Sequence, residues 1–411
     1  MRYLSKNAVA ALSVFISLLI VITMTAAITL SVTRIDANAT EIVFGGDKQF
    51  GQRYERLDQI YEILMNDYYK EVDSETLIQG AIDGMLASLD DPYTFYYTPD
   101  EMSESLENQT GKYSGIGILV SSNKDGGLCI NRVFKDSHAL AAGLLAGDVI
   151  THVNGIEVSA RTNEDLNSAV ALVKGEDGTT VEITVSRKGE TKAFTVMRGP
   201  VNINRVEYYI LDDVGYIILY EFLGDAVSGV KEALRAFNDA GVKGVIFDVR
   251  SNTGGELYTC LNITDLMVPK GLIMYTEDRY GNRQSHYSNE YAFGLPMVVL
   301  VNEMTASASE VFTAAVQDYD MGVIMGTNTF GKGIVQQVHT FQSDGAGMQL
   351  TIEAYYTPSG RNIHEVGIAP DIVVELSENY DPSIYTPDME NDNQLKAAYD
   401  QVKKMIAEKG E

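Results

Sequence analysis

The sequence predicts a multidomain protein of mixed α/β (α+β) class, with a single N-terminal transmembrane helix, a helical region and two segments that contain strands. Three observations lead to this prediction: an uncharged apolar run near the N-terminus, apolar residues at helical spacing through residues 50–89, and alternating strands and helices beyond residue 200. The length of 411 residues suits two or three globular domains.

The N-terminal run lies between Lys6 and Arg34, where 27 residues carry no charge. About 20 apolar residues span a bilayer, whereas the apolar part of a secretory signal is usually only about 7–15 residues long. Arg2 and Lys6 precede the run, so the positive-inside rule puts the N-terminus in the cytoplasm. We therefore expect a single-pass protein of the cell membrane, anchored through residues 8–32, with the remainder extracytoplasmic. Cleavage at the small residues 37–39, which would remove the anchor, is the alternative.

The spacing of apolar residues, the glycine turns and the charges divide the chain into five predicted segments. Residues 1–39 are the predicted cytoplasmic tail and anchor, and residues 40–110 are predicted to be helical, because apolar side chains recur there at threes and fours. Residues 111–200 have short strands and glycine turns, including two predicted hairpins. In residues 201–376, strands alternate with helices, and the uninterrupted apolar strands GVIFDV and PMVVLV indicate a buried, largely parallel sheet. Residues 377–411 form an acidic tail and a last helix.

The composition excludes several kinds of function. Lys plus Arg is 31 and Asp plus Glu is 57, which gives a formal net charge of −26, whereas a protein that binds nucleic acid needs clustered cations. The two cysteines, Cys129 and Cys260, have no CxxC spacing, so neither a disulfide framework nor a cysteine metal site is predicted. We expect no metal, no cofactor and no nucleic acid.

Two turns come directly after predicted buried strands: RSNTGG after Val249 and NEMTASASE after Val301. Sites in an open α/β sheet form beyond the carboxyl ends of the strands. Ser307 would begin the following helix, where unpaired backbone N–H groups and the helix dipole stabilise an oxyanion. A hydroxyl at this place also caps a helix, and Glu310 completes a capping-box pattern, so capping alone is an alternative.

A base for Ser307 is predicted by elimination. No G-x-S-x-G elbow surrounds Ser307, and no motif ties any of the five histidines to a serine, which leaves lysine. Lys332 lies between two glycines and near apolar residues that would desolvate its amine and lower its pKa, and Gln336 follows four residues later, where it would hold that amine. The stretch GTNTFGKG also fits a phosphate-binding loop, but Gly333 replaces the hydroxyl residue that binds Mg²⁺, so nucleotide binding is the weaker alternative.

The sequence TASASE followed by TFGKGIVQ resembles the carboxy-terminal processing proteases, also called tail-specific proteases, which are Ser-Lys peptidases with a PDZ domain. The similarity extends over nearly all of the chain after the predicted anchor, through LDDPYTFYYTPDEM, YSGIGILV, AAGLLAGDVITHVNG, DVRSNTGG, YYTPSGRNIHEVGIAPDI and DNQLKAAYD. It implies a PDZ domain at residues 111–200, inserted before a Ser-Lys protease core of the ClpP/crotonase-like type at residues 201–376. It also implies a serine endopeptidase whose substrates are polypeptides with free C-termini.

The resemblance implies a role for each matching residue. Ser307, and not Ser309, is the nucleophile, Lys332 is the base and Gln336 orients it. The oxyanion hole, the PDZ carboxylate loop and a relay from the PDZ domain to the active site fall on a further set: the N–H groups of Ala308 and of Gly254 or Gly255, the N–H groups of Ile116, Gly117 and Ile118, and Lys174, which stands where the family often has arginine.

The resemblance further implies a homodimer formed through the N-terminal helices and the C-terminal helix, and it is compatible with a regulatory partner protein. The alternative from another class of function is a catalytically silent PDZ scaffold that binds envelope proteins by their C-termini.

Overall fold

The computed structural model describes residues 48–110, 112–123, 125–289, 294–377 and 387–409. The chain divides into two compact units, one up to Asp90 and one from Asp91 onwards. In its described part, the first unit consists of helices α1 (Lys48–Asp67) and α2 (Ser74–Ala87). Asp73 caps α2, because its carboxylate accepts a hydrogen bond of 2.8 Å from the N–H of Thr76.

The transmembrane helix in the predicted fold class is wrong for the described residues, because none of their helices is both long and apolar enough to cross a membrane. Helix α1 has 20 residues, the length that a bilayer requires, but acidic and basic residues recur along it. Residues 8–32, on which the prediction fell, lie outside the described residues. The fold class is therefore corrected to a mixed α/β multidomain protein.

The second unit opens with β1 (Phe95–Tyr97) and α3 (Pro99–Thr110), and then forms an antiparallel, six-stranded PDZ-like sheet. Its strands and helices are β3 (Ile118–Ser122), β4 (Leu128–Val133), α4 (His138–Ala142), β5 (Val149–Val153), β6 (Ile156–Glu157), α5 (Asn163–Val173), β7 (Thr180–Arg187) and β8 (Glu190–Met197). Strand β2 (Lys112–Gly115) pairs antiparallel with β9 (Gly199–Asn202), so the two ends of this segment meet. This pairing lets the whole segment be inserted between β1 and the next sheet.

A six-stranded sheet forms the centre of the second unit, in the order β10 (Val206–Leu211), β11 (Val214–Leu219), β12 (Gly244–Asp248), β15 (Met297–Val301), β16 (Val323–Gly326) and β19 (Ile372–Val373). Strand β10 is antiparallel to β11, and the other neighbours are parallel. Helices α6 (Ala226–Ala240), α7 (Leu257–Thr264) and α8 (Ala308–Asp318) cover one face, and α9 (Asn393–Lys409) packs on the other. The apolar strands show no polar alternation because both of their faces are buried.

The second unit also contains a sheet that is antiparallel throughout, and its strands alternate along the sequence with those of the central sheet. It contains β1, β18 (Gly347–Tyr356), β13 (Gly271–Asp278) and β14 (Arg283–Ser288), and β17 (Ile334–Thr340) also pairs with β18. Lys332 comes two residues before β17, and Ser307 comes directly before α8. The two sheets therefore carry the two halves of the candidate site.

Candidate active site

Ser307 lies where β15 ends and α8 begins, and it lines a cleft of about 430 Å³. Its backbone has φ 56° and ψ −119°, a conformation that is strained for a residue with a side chain and that typically costs of order 1–3 kcal/mol. The neighbouring hydroxyls are occupied elsewhere: Thr305 donates to the carbonyl oxygen of Val249, and Ser309 to that of Asn252. Thr305 and Ser309 are fully buried, so of these three residues only Ser307 lines the cleft.

The Glu310 carboxylate joins the serine turn to the lysine loop. One oxygen accepts the N–H groups of Ser307 and Lys332, at 2.9 and 2.8 Å. The other accepts the Thr329 hydroxyl and the N–H of Gly331, at 2.6 and 2.7 Å. Glu310 is completely buried, and these four charge-assisted hydrogen bonds offset the cost of placing a carboxylate there. The predicted capping box of Ser307 and Glu310 is present, but the Glu310 side chain also holds the loop of the candidate base.

Lys332 lines the same cleft as Ser307 and is half-buried. Burial lowers the pKa of its amine, and the nearby carboxylate of Asp91 acts in the opposite direction. Its Nζ lies 4.6 Å from the centroid of the Tyr93 ring. The Tyr355 hydroxyl lies 3.0 Å from the carbonyl oxygen of Ser307 and 2.6 Å from that of Lys332, which fixes the two backbones relative to each other.

Gln336 is on β17 and also lines the cleft. Its amide nitrogen donates to the Thr351 hydroxyl of β18 at 3.3 Å. Among the described residues, the hydrogen-bond partner of Gln336 is therefore Thr351 and not Lys332. The amide oxygen, which is the acceptor that a lysine amine needs, is left for the cleft.

The two glycines of the predicted oxyanion turn differ in how their N–H groups are used. The N–H of Gly254 donates to the side-chain oxygen of Asn252 at 2.9 Å. Gly255 lines the cleft together with Ala308, and neither of their N–H groups has a hydrogen-bond acceptor among the described residues. Of the two candidates that the sequence left open, Gly255 is the one with a donor available to a substrate carbonyl.

Gly255 also has a conformation that excludes side chains. Its φ is 140°, and a Cβ atom there would lie 2.5 Å from the carbonyl oxygen of Phe222. Phe222 holds the turn in place, since it donates its N–H to the Gly254 carbonyl and accepts the N–H of Glu256, both at 2.8 Å.

A buried ionic cluster supports the start of this turn, and the sequence did not predict it. The Arg250 guanidinium is held by Asp248, with a closest contact of 2.6 Å, and by Asp392, also at 2.6 Å. The Gln394 side chain accepts a further bond from Arg250, and the Tyr216 hydroxyl donates to Asp248. This cluster anchors the N-terminal end of α9 to the chain that leads into the glycine turn.

The second candidate site is a groove of about 430 Å³ beside the predicted PDZ carboxylate loop. The loop residues Ile116, Gly117 and Ile118 line it, and so does Lys174 at the end of α5. The carbonyl oxygens of Ile116 and Gly117 accept hydrogen bonds from Ala139 and Phe134, so these acceptors are used by the fold.

The groove is apolar on the side of the PDZ-like sheet and meets the part of the chain that holds the central sheet on the other. Phe134, Val170 and Val173 supply apolar walls, whereas Ile203 and Glu221 come from the part with the central sheet. Glu221 directly precedes Phe222, which binds the glycine turn, and Leu223 lines the cleft of Ser307. Three consecutive residues thus lead from one site to the other.

Sequence reasoning missed several of these residues. Glu310 fits a capping-box pattern, and that pattern indicates helix capping and not a link between two loops. Tyr93, Tyr355 and Asp392 carried no pattern that separates them from ordinary core or cap residues, because their partners lie far away in the sequence. In the described part of the chain, no group of three or more His, Cys, Asp or Glu side chains is placed to hold a metal ion.

Comparison with known families gives three matches along the chain. Residues 213–374 match peptidase family S41, residues 114–197 match the PDZ domain, and residues 20–101 match the N-terminal domain of the activating protease CtpB.

Two related proteins align with most of the chain. A probable CtpA-like serine protease of Staphylococcus haemolyticus is 34% identical over 379 residues, which is 91% of this chain and 75% of the relative. A probable CtpA-like serine protease of Staphylococcus aureus is also 34% identical, over 88% of this chain and 72% of the relative.

Solved structures agree with these matches. A photosystem II D1 C-terminal processing protease is 28% identical, with a TM-score of 0.52 and coverage of 86% of this chain and 92% of the other. A putative S41 protease from Bacteroides fragilis has a TM-score of 0.58 at 18% identity, covers 84% of this chain and 97% of that one, and shows likeness of fold alone. The resemblance to C-terminal processing proteases that the sequence predicted is confirmed.

Proposed function

The chain belongs to peptidase family S41, as a serine-type C-terminal processing peptidase with a PDZ domain, and from this premise we propose that it cleaves unstructured polypeptide tails by a Ser307–Lys332 dyad. The observation that carries the proposal is the shared cleft of Ser307 and Lys332, with the Glu310 carboxylate holding the backbones of both. Burial lowers the pKa of the Lys332 amine, which suits a lysine that acts as a base.

The chemistry is acyl transfer through a covalent intermediate. Neutral Lys332 takes the proton of the Ser307 hydroxyl, whose oxygen attacks the scissile carbonyl carbon. The N–H groups of Ala308 and Gly255 stabilise the oxyanion that forms. Lys332 then gives the proton to the leaving amine as the C–N bond breaks. A water molecule, deprotonated by Lys332, hydrolyses the acyl-enzyme and releases the second product.

Gln336 has a positioning role in this proposal. Its amide nitrogen donates to Thr351, which leaves its oxygen to accept from the Lys332 amine as the lysine moves toward Ser307. The cleft also contains Leu223, Leu257, Met274 and Val311, an apolar lining that suits a small or medium apolar side chain next to the scissile bond.

Substrate recognition is proposed to use the PDZ groove. The loop formed by Ile116, Gly117 and Ile118 would receive the C-terminal carboxylate, and the apolar walls of the groove would take the last side chain. Lys174 and Glu221, which face the groove from the PDZ domain and the core, are the candidate relay to the glycine turn.

We also propose that the catalytic part works outside the cytoplasm, on the basis of the cations and the long apolar run at the start of the sequence.

A homodimer is proposed from the surface of α1. Leu57, Ile60 and Ile63 recur at a spacing of three and are each about half exposed, at 47, 48 and 57%. A second copy of the chain would cover this apolar stripe. Light scattering on the Ile60→Glu variant tests the idea: a monomer is expected, and an unchanged mass would rule the stripe out as the interface.

Cleavage of an unfolded polypeptide tests the proposed catalysis. The full chain is compared with the Ser307→Ala and Lys332→Ala variants, on substrates with a free or an amidated C-terminus. We expect both variants to lose at least about 100-fold in rate, because each removes a group that takes part in the chemical step. Lys231→Ala, which removes an exposed lysine on α6, is the matched control and should leave the rate unchanged.

The outcomes separate the alternatives. Slow cleavage of the amidated substrate by the wild type supports capture of a free carboxylate by the PDZ groove. Binding of the tail without cleavage by wild type and variants alike would indicate a scaffold. Full activity of the Lys332→Ala variant would show that another group is the base.

A further inference from the structure

In the described part of the chain, the ammonium of Lys332 donates no hydrogen bond to an acceptor. Its Nζ lies over the ring of Tyr93, at 4.6 Å from the ring centroid. This distance is within the range of a cation–π interaction, in which the negative face of an aromatic ring attracts a positive charge. A neutral amine gains much less from such a contact, so the contact favours the charged form of the lysine, which cannot act as a base.

Tyr93 is held firmly in this place. Its N–H donates to the Asp91 carboxylate at 2.9 Å, and its carbonyl oxygen accepts from the Gln349 side chain at 3.1 Å. The next residue, Thr94, is buried, donates to Asp91 at 2.7 Å and accepts the N–H of Thr351 at 3.0 Å. The backbone that carries the ring is thus held by Asp91 and by strand β18.

The same strand holds the residue that would orient the lysine. Thr351 contacts Thr94 through its N–H, and its hydroxyl accepts the amide nitrogen of Gln336. Tyr93 and Gln336 are therefore positioned from one residue, and they offer Lys332 two alternatives: an aromatic face for the ammonium and an amide oxygen for the amine.

We propose that Tyr93 holds the ammonium of Lys332 in the free enzyme and thereby sets how much neutral amine is available to take the proton of Ser307. This inference rests on the proposed role of Lys332 as the base. Tyr93 is a positioning residue in this scheme, because it acts only through Lys332 and takes no part in proton transfer or in bond making.

The other charged and titratable groups around this contact come from four parts of the chain. They are Asp91 on the segment of Tyr93, Glu310 on α8, Tyr355 on β18, and His364 and Glu365 on the loop after β18. The oxygens of Glu310 and Tyr355 are occupied by backbone groups of the two loops. Of this set, Asp91 acts on the lysine in the same direction as the ring, because its negative charge raises the pKa of Lys332.

The test follows the protonation of Lys332 in the full chain by two readouts. The first is the pH dependence of kcat/KM for an unstructured peptide with a free C-terminus. The second is the pH dependence of the acetylation rate of Lys332 by acetic anhydride, read by mass spectrometry, with exposed Lys231 as the internal standard. Acetic anhydride reacts with the neutral amine, so this readout does not depend on catalysis.

Tyr93→Leu removes the aromatic face, and both curves are expected to move to lower pH by about one unit, the size of one cation–π contact. Tyr93→Phe keeps the face and should leave both curves in place. Tyr96→Leu removes a neighbouring aromatic that stacks on Phe341, and it is the matched control for loss of a ring in the same segment. A purely structural role of Tyr93 would lower the rate equally at every pH.

A graded series tests the contact even if the Tyr93→Leu variant fails to fold. In the Tyr93→Phe variant, the phenylalanine is replaced by its mono-, di- and trifluoro forms, which withdraw charge from the ring face with little change in shape. The acetylation curve is expected to move to lower pH step by step. An acetylation curve that stays in place across the series and in Tyr93→Leu overturns the inference. If acetylation moves but kcat/KM does not, Tyr93 does hold Lys332, but the lysine is not the base and the proposed function fails instead.

Discussion

Replacing Glu310 by glutamine is expected to separate the serine turn from the lysine loop while leaving the shape of the side chain almost unchanged. Each carboxylate oxygen accepts two donors, one pair from Ser307 and Lys332 and the other from Thr329 and Gly331. An amide has one oxygen, so two of the four donors would face an NH₂ group that cannot accept them.

The size of the effect follows from this count. A hydrogen bond to a charged group contributes about 1.5–3 kcal/mol, so losing two should lower the free energy of unfolding by about 3–6 kcal/mol. The rate should fall as well, because displacing a catalytic group by about 1 Å costs about 100-fold. Urea unfolding measures the first quantity, and kcat/KM on an unfolded polypeptide measures the second.

Glu303→Gln is the matched control for this prediction. Glu303 is an exposed carboxylate on the same turn, and it accepts one hydroxyl, that of Thr327. The control should change the free energy of unfolding by less than about 1 kcal/mol, as is usual for a surface substitution. A Glu310→Gln variant that behaves like the control, in stability and in rate, would refute the idea that this carboxylate holds the two loops together.

Three further outcomes are expected. Because burial lowers the pKa of Lys332 and a base must be neutral, kcat/KM should rise with pH through an apparent pKa below the usual lysine value of 10.5. Gly255→Ala should reduce kcat by about 100-fold or more, since the new Cβ would lie 2.5 Å from the Phe222 carbonyl and displace an oxyanion donor. Asp392→Asn should lower the free energy of unfolding by about 1.5–3 kcal/mol, because Arg250 keeps Asp248 but loses the charge-assisted contact to its second carboxylate.

Matched variants separate these effects from general damage. Gly281→Ala imposes a positive φ of 81° on alanine in open space, so it carries the backbone strain without the collision and should keep its rate. Asp400→Asn removes an exposed partner of Lys396 on α9 and should be nearly neutral. A rise of kcat/KM with pH whose apparent pKa lies at or above 10.5 would contradict the first prediction. Equal losses in a variant and its control would contradict the other two.

The central sheet could be predicted from the sequence because its strands are apolar without alternation, which is a local signal of burial on both faces. Ser307 follows the end of one strand and Lys332 precedes the start of another, so motifs in the sequence could predict that both lie at one cleft. The roles of Glu310 and Tyr93 were not, because each depends on a partner brought close by the fold. The choice of Gly255 over Gly254 depends on a single side-chain amide, that of Asn252, which no sequence pattern reveals.

The anchoring of Arg250 by Asp392 has a consequence for the order in which the enzyme matures. These residues are 142 positions apart, and a ribosome makes the N-terminal part of a chain first. While the chain is being made, Arg250 and the glycine turn after it lack the carboxylate and the amide that α9 brings. The glycine turn can therefore reach its final set of supporting contacts only after α9 has been made.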